Sequence, residues 1–254
     1  MEFVRTVIKD YIATITLDNP PANAFNAQMY HEAGQAFNQL NDRIDEVRVA
    51  ILTGEGKIFC GGNDVNELDE SSASEMNNAS AAFNECLTHV YNSPVPIIGA
   101  INGAAVGTGF CLAAVCDILV AAEQAKFGVT EIKVGILGGL AFLPLMVPQK
   151  VGKYMSLTGT LLSAKEMAHY GAVRSVVPRE QLMEEAMKYA SQLKQIPPLS
   201  LRAWKKAYNL VEHLRFAEIE HITDLFTEDL MKTEDSAEAM RAFIEKRPPV
   251  FKGR

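Results

Sequence analysis

The sequence predicts an α/β fold in which short buried strands alternate with helices and then give way to a helical C-terminal region. Three observations predict it. Short apolar runs recur at 48–53, 97–101, 118–121 and 173–177, segments of helical spacing separate them, and glycine clusters follow several of the runs. Such clusters are common where a chain leaves a parallel strand.

The elements follow in order. Residues 2–18 interleave Val7, Tyr11, Ala13, Ile15 and Leu17 with polar residues at period two, the spacing of a strand. That run meets Asp18-Asn19-Pro20-Pro21-Ala22-Asn23, a cluster of turn formers. Met29, Ala33, Ala36, Phe37 and Leu40 then fall at helical spacing over 27–42. Arg48 to Thr53, bounded by Gly54, reads as a buried strand. This β-α-β order implies a parallel pair under a right-handed crossover. The order repeats with a glycine-bearing loop at 54–63, a helix over 74–92, a strand at 97–101, a helix opening at Gly107 and a strand at 118–121. Phe127 and Glu131 fall on a loop or short strand, and a glycine cluster follows at 135–139. Helical spacing covers 140–158 and 163–170, and a strand at 173–177 ends at Pro178. From Arg179 the pattern is helical, interrupted at Pro197-Pro198 and near Pro248-Pro249. Trp204, Leu210, Phe216, Leu225, Phe226 and Phe243 in this tail need a core or a neighbouring subunit to cover them.

Composition narrows the function classes. Hydrophobic residues make up 48% and charged residues 22% of 254, as in an ordinary soluble globular chain. A net charge of −7 weighs against nucleic acid, which requires clustered Lys and Arg. The short basic pairs Lys205-Lys206 and Lys246-Arg247 read as solvated helix faces. The most apolar stretch, 95–122, is broken by glycines, Asn102 and Asp117, so no membrane span is expected. The N-terminus lacks a basic-then-apolar signal region. Cysteines 60, 86, 111 and 116 form no CxxC pair and have no histidine at ligand spacing. No metal is expected, and the thiols suit a reduced, cytoplasmic setting.

Two glycine-bearing loops stand out, Lys57 to Asp64 and Asn102 to Phe110. A glycine-rich turn that opens a helix presents free N–H groups suited to an anionic oxygen. Either loop alone is equally explained as a tight packing turn, and neither has a phosphate-loop pattern.

Together these segments resemble the crotonase superfamily, the enoyl-CoA hydratase/isomerase group. The resemblance spans nearly the whole chain. It rests on NPPANAFN, FCGGNDVNEL, PVPIIGAINGAAVGTGFCLAAVCDILVAA, FGVTEIKVGIL and AMRAFIEKRPPVF, which occur in the family's order. It implies a crotonase-like ββα spiral with two roughly perpendicular sheets. It also implies a core over 1–199 that carries an acyl-CoA site, and a helical region over 200–254 that assembles a homotrimer or a dimer of trimers.

The resemblance also assigns roles. The main-chain amides of Asn63 and Thr108 correspond to the family's oxyanion pair. Thr108 stands where glycine is usual, so its backbone must avoid positive φ. One such donor is typically worth roughly 3 kcal/mol in the transition state. Glu131 matches one of two glutamates that hold a water in the hydratases. The other maps onto Cys111, a weak hydrogen-bonding group that is mostly neutral at its ordinary pKa. A thiol in a helix's first turn could alternatively serve as a nucleophile. Asp64, Glu67 and Glu70 could supply a second acid, and Asp117 reads as structural. Isomerases of the family work with one glutamate in the Glu131 position, although some hydratase-like members also keep only that one. Residues 135–143 are apolar where hydratases carry a proline and a polar stretch, which suits a greasy acyl group. Coenzyme A, as part of the substrate, is expected near Ala22, Ala24, Gly61, Gly62, Asn63 and Asp64, and near Phe243 and Lys246, a pair that the family often takes from a neighbouring subunit. No metal or redox cofactor is implied. Decarboxylation, thioester hydrolysis and a non-catalytic acyl-CoA- or RNA-binding role are the alternatives.

Overall fold

The computed structural model describes residues 1–64, 73–196, 198–212, 228 and 231–250. Its main sheet contains β1 (Val4–Lys9), β2 (Ile12–Leu17), β3 (Val49–Gly54), β4 (Ile97–Ile101), β6 (Ile118–Ala122) and β9 (Ser175–Val177), side by side in that order. The β1–β2 pair is antiparallel and every later pair is parallel. A smaller sheet joins β5 (Ala105–Val106), β7 (Lys126–Gly128) and β8 (Leu162–Ser163).

Each stretch between the parallel strands supplies a cover. Helix α1 (Ala27–Asp42) starts where the Asn26 side chain accepts the Met29 N–H at 2.8 Å, a standard N-cap. It lies with α2 (Ala73–Tyr91) on one face of the main sheet, over Ala50, Leu52, Ile97 and Ile101. The opposite face presents Val49, Ile51, Ile98 and Val120 to α7 (Leu182–Leu193), whose Leu182, Ala186 and Ala190 recur every four residues. Sandwiched between helices, β3 and β4 are buried at every position, which is why they read as continuous apolar runs.

The structure departs from the expected elements in three places. The expected strand over 2–18 is two strands, turned at Asp10 and Tyr11 with φ of 51° and 62°. Two successive positive φ values make the tight reversal that suits a two-residue hairpin, here without the usual Asn-Gly signal. The helical stretch 140–158 is divided by Val147 and Pro148 into α4 (Leu143–Met146) and α5 (Gln149–Thr158). The next helical stretch is α6 (Ala164–His169), opened by a capping box between Ser163 and Glu166. The strand expected at 173–177 is only Ser175–Val177, half-buried at the edge of the sheet.

Lys205 is the clearest correction. It sits on α8 (Pro198–Glu212), and its side chain is 5% exposed rather than part of a solvated face. Its ammonium donates to the Asp117 carboxylate at 2.6 Å, and the same Asp117 oxygen accepts the Ile97 N–H at 2.7 Å. Asp117 is thus structural, as expected, pinning the start of β4 and docking α8. Breaking a fully buried pair costs about 3–5 kcal/mol. Asp117 still reaches water (28% exposed), so Lys205→Met should cost about 2 kcal/mol in chemical denaturation. An unchanged midpoint would show that the pair does not dock the helix.

Candidate active site

Three segments converge beyond the ends of the strands. Cys60 and Ala105 form a parallel bridge, with Cys60 N–H donating to Ala104 and Val106 N–H donating to Cys60, both at 3.0 Å. Val106 pairs with Gly128 in the small sheet, and Gly107 N–H donates to the Gly128 carbonyl at 3.0 Å. The first loop, the second loop and the approach to Glu131 are therefore laced together by main chain. Gly109 allows this closeness, because a Cβ there would overlap the Cys60 backbone.

The residue before each expected oxyanion donor takes up the turn. Gly62 has φ 106° and Gly107 has φ 56°. A Cβ on Gly107 would lie 3.4 Å from the Gly62 Cα, so the two turns touch. With positive φ confined to those glycines, Asn63 and Thr108 keep ordinary backbone, as the threonine requires. Phe25 N–H donates to Gly62 and Asp64 N–H donates to Phe25, the pattern of a parallel bridge that turns Asn63's own N–H to the other side. Thr108 opens α3 (Thr108–Ala114), where a first-turn N–H has no partner inside the helix. Neither amide meets a main-chain acceptor among the described residues.

Glu131 begins a 3-10 turn, Glu131–Val134, with two residues between it and the end of β7. Its Oε1 would lie 3.4 Å from a Cβ on Gly107 and 2.6 Å from one on Gly138, so the carboxylate stands between the second loop and the 135–139 cluster. Oε2 is shut off from solvent and has no hydrogen-bond partner among the described residues. Burial pushes the pKa above its ordinary value of 4.5, opposed by the main-chain amides of Glu131 and Thr130. A half-buried carboxylate with one oxygen shut off and unpartnered and a raised pKa is costly to the fold and marks a group held for a ligand or a proton.

The other expected residues divide. Cys111 lies one turn into α3, buried, its N–H donating to Gly107 at 3.0 Å. Its Sγ would be 3.9 Å from a Cβ on Gly139, so it lies on the same side as the glycine cluster. Gly61 N–H donates to Ala22 at 2.9 Å and Asn19 Nδ2 donates to the Ala24 carbonyl at 2.7 Å, which fixes that turn beside the first loop. Phe243 and Lys246 lie at the far end of α9 (Glu234–Ile244) from Ser236, the residue packed against Gly135 below the Glu131 turn. Phe243 is half exposed. Glu67 and Glu70 lie outside the described residues. Burial raises the thiols of Cys60 and Cys86 to about 12, which leaves them neutral near pH 7. No cluster of metal-ligating side chains occurs among the described residues, nor a helix long and apolar enough to cross a membrane.

Tyr30 was not among the residues singled out from sequence. It is buried on α1, and its hydroxyl reaches both the Asn63 Oδ1 and the Thr108 Oγ1, the latter at 2.7 Å. A tyrosine in an apolar helical stripe reads as core. The signal available was that its hydroxyl, once buried, would need a partner.

Comparison with known proteins shows the family. A family model described as enoyl-CoA hydratase/isomerase matches residues 7–254. The chain is 38% identical over 257 residues to a carnitinyl-CoA dehydratase of Salmonella enteritidis, covering 96% of this chain and 95% of that protein. Its fold matches a crystal structure of enoyl-CoA hydratase from Bacillus anthracis with a TM-score of 0.79 and 30% identity, over 99% of this chain and 100% of the other. An enoyl-CoA hydratase/isomerase from Pseudoalteromonas atlantica T6c matches with a TM-score of 0.85 and 25% identity, over 98% of this chain and all of that one. With one family model spanning almost every residue and a relative above one-third identity end to end, this chain belongs to the enoyl-CoA hydratase/isomerase family.

Proposed function

We propose that this chain moves a double bond along the acyl group of an acyl-CoA, with Glu131 as the single acid/base. The observation that carries the reading is the Glu131 carboxylate, with Oε2 unpartnered and Oε1 beside the Gly107 turn that touches the Gly62 turn, while Cys111 holds the position that the family resemblance gives to a second carboxylate. The Glu131 carboxylate takes a proton from Cα of a 3-enoyl thioester. Electrons move onto the thioester oxygen, whose negative charge is met by the two main-chain amides. The protonated Glu131 then returns the proton to Cγ, leaving a 2-enoyl thioester and a restored carboxylate. Nothing is consumed besides the substrate.

A second reading is favoured by the 38% identity to a carnitinyl-CoA dehydratase. There Glu131 would take the α-proton of a 3-hydroxyacyl thioester and pass it to the departing β-hydroxide, releasing water. Both readings share the enolate and differ in the fate of the proton.

The apolar 135–143 stretch supports a hydrophobic acyl chain. The turn at Ala22 and Ala24 with the Gly61–Asp64 loop supports coenzyme A lying along that edge, with Phe243 and Lys246 of a neighbouring copy closing over it. Leu199 at 76%, Trp204 at 75% and Tyr208 at 64% exposed on α8 support burial of that helix by other copies in a trimer or a pair of trimers.

Purified protein given 3-enoyl-CoA should generate the absorbance of a conjugated thioester. Loss of that absorbance from 2-enoyl-CoA would establish hydration instead. Release of thiol or carbon dioxide with neither change would replace both readings with hydrolysis or decarboxylation. Acyl-CoA binding without turnover would leave a binding protein.

A further inference from the structure

We infer that Tyr30 is a positioning residue that clamps the two oxyanion loops to each other through the side chains of Asn63 and Thr108. This deepens the reading above and rests on the two amides forming an oxyanion pocket.

Each donor follows a glycine with positive φ, and such glycines leave a loop softer than a side-chain-bearing residue would. Main-chain bonds join the two loops through Cys60, Ala104 and Val106 and seat Asn63 against Phe25, but none among the described residues runs from Asn63 to Thr108. The side chains bridge that last step. Thr108 Oγ1 donates to Asn63 Oδ1 at 2.7 Å, and the Tyr30 hydroxyl contacts both atoms. With the Asn63 amide turned so that its oxygen faces the hydroxyls, three oxygens form a closed triangle served by two hydroxyl hydrogens. Each oxygen comes from a different segment: helix α1, the first loop and the second loop.

The anchor is stiff. Tyr30 is 4% exposed, and its ring packs on Phe25 at 4.8 Å between centroids and edge-on to Phe83 at 6.1 Å. Its main chain sits in the first turns of α1, with Tyr30 N–H donating to Asn26 at 3.1 Å. Burial raises the phenol well above its ordinary value, with the Thr108 hydrogen bond opposing, so the group stays a neutral donor across the working range. It can hold, but it is poorly suited to accept a proton. Because the clamp runs through side chains, it explains how Asn63 and Thr108 can stand at positions where only main chain touches the substrate.

A misplacement near 1 Å can cost about a hundredfold in rate, so Tyr30→Phe, which keeps the ring and removes the hydroxyl, should lower kcat about ten- to hundredfold with KM changed less than about threefold. Thr108→Val should do the same, and the double variant should be no worse than either single one, because one clamp is lost once. Independent structural damage would make the two losses multiply. Binding gives a separate readout. A 3-ketoacyl-CoA, whose enolate has its own near-ultraviolet absorbance, should show that absorbance on wild-type enzyme and much less on Tyr30→Phe, while a saturated acyl-CoA binds both equally. Equal enolate signal in wild type and Tyr30→Phe overturns the clamp and leaves the oxyanion pocket standing. An absent signal in the wild type overturns both.

Discussion

Glu131→Gln is expected to lower kcat about a thousandfold and leave acyl-CoA affinity within about twofold, measured by steady-state kinetics and direct titration. Positioned acid/base groups contribute 10²–10⁴-fold, and the substitution removes the basic electron pair while keeping the shape. The same variant should be more stable than the parent at neutral pH. The sign follows from the raised folded-state pKa. A carboxylate harder to ionise when folded contributes stability that is fully present below its unfolded pKa. That contribution is lost as pH rises through the folded value, and above it the charged carboxylate opposes folding. The neutral amide of the variant would be free of that penalty, the trade of stability for function common at reactive sites. For the parent enzyme the same shift places the acid limb of kcat/KM above the ordinary glutamate value of 4.5. Turnover should rise with pH through that limb, and the limb should vanish from the residual rate of Glu131→Gln. A turnover unchanged by the substitution would remove Glu131 from the chemistry.

The second large effect is expected from one methyl group. A Cβ on Gly138 would lie 2.6 Å from Glu131 Oε1, 2.8 Å from Cδ and 2.9 Å from Cγ. Since Gly138 is not among the positive-φ glycines, alanine fits the backbone and the whole insult falls on the carboxylate. Gly138→Ala should therefore fold normally and lose about a hundredfold in kcat, the cost of moving a reacting group by about 1 Å. Gly152→Ala is the control. Its Cβ would meet Leu143 at 3.5 Å, an ordinary contact, and activity should stay within about twofold. A Gly138→Ala enzyme with full activity would mean that Glu131 is not held where the structure puts it.

What was legible in the sequence follows from how each feature encodes itself. Strands β3, β4 and β6 announce themselves because burial on both faces demands unbroken apolar runs. The hairpin at Asp10-Tyr11 was hidden because its positive φ values fall on residues without the turn signature. The second sheet was expected only from the family resemblance, since its strands β5 and β8 are two residues each and leave no period to detect. At the site, the glycines and Glu131 were legible as motif positions. Their convergence was expected only from the family resemblance, because in the structure it depends on main-chain lacing between 60, 105 and 128. One reason explains why Tyr30 was missed and Lys205 misread. Each is an amphipathic side chain whose polar tip finds a partner far along the chain, 78 residues away for Thr108 and 88 for Asp117.

In the proposed mechanism, dehydration and double-bond migration both begin with loss of the α-proton onto Glu131 while the thioester oxygen gathers charge between two amides. Incubating the protein with a saturated acyl-CoA in heavy water, and following Cα by NMR, isolates that step. Deuterium should enter at Cα with wild-type enzyme and fail to enter with Glu131→Gln. Exchange that proceeds equally in both would contradict Glu131 as the base, and a wild-type enzyme that exchanges nothing would contradict the enolate itself.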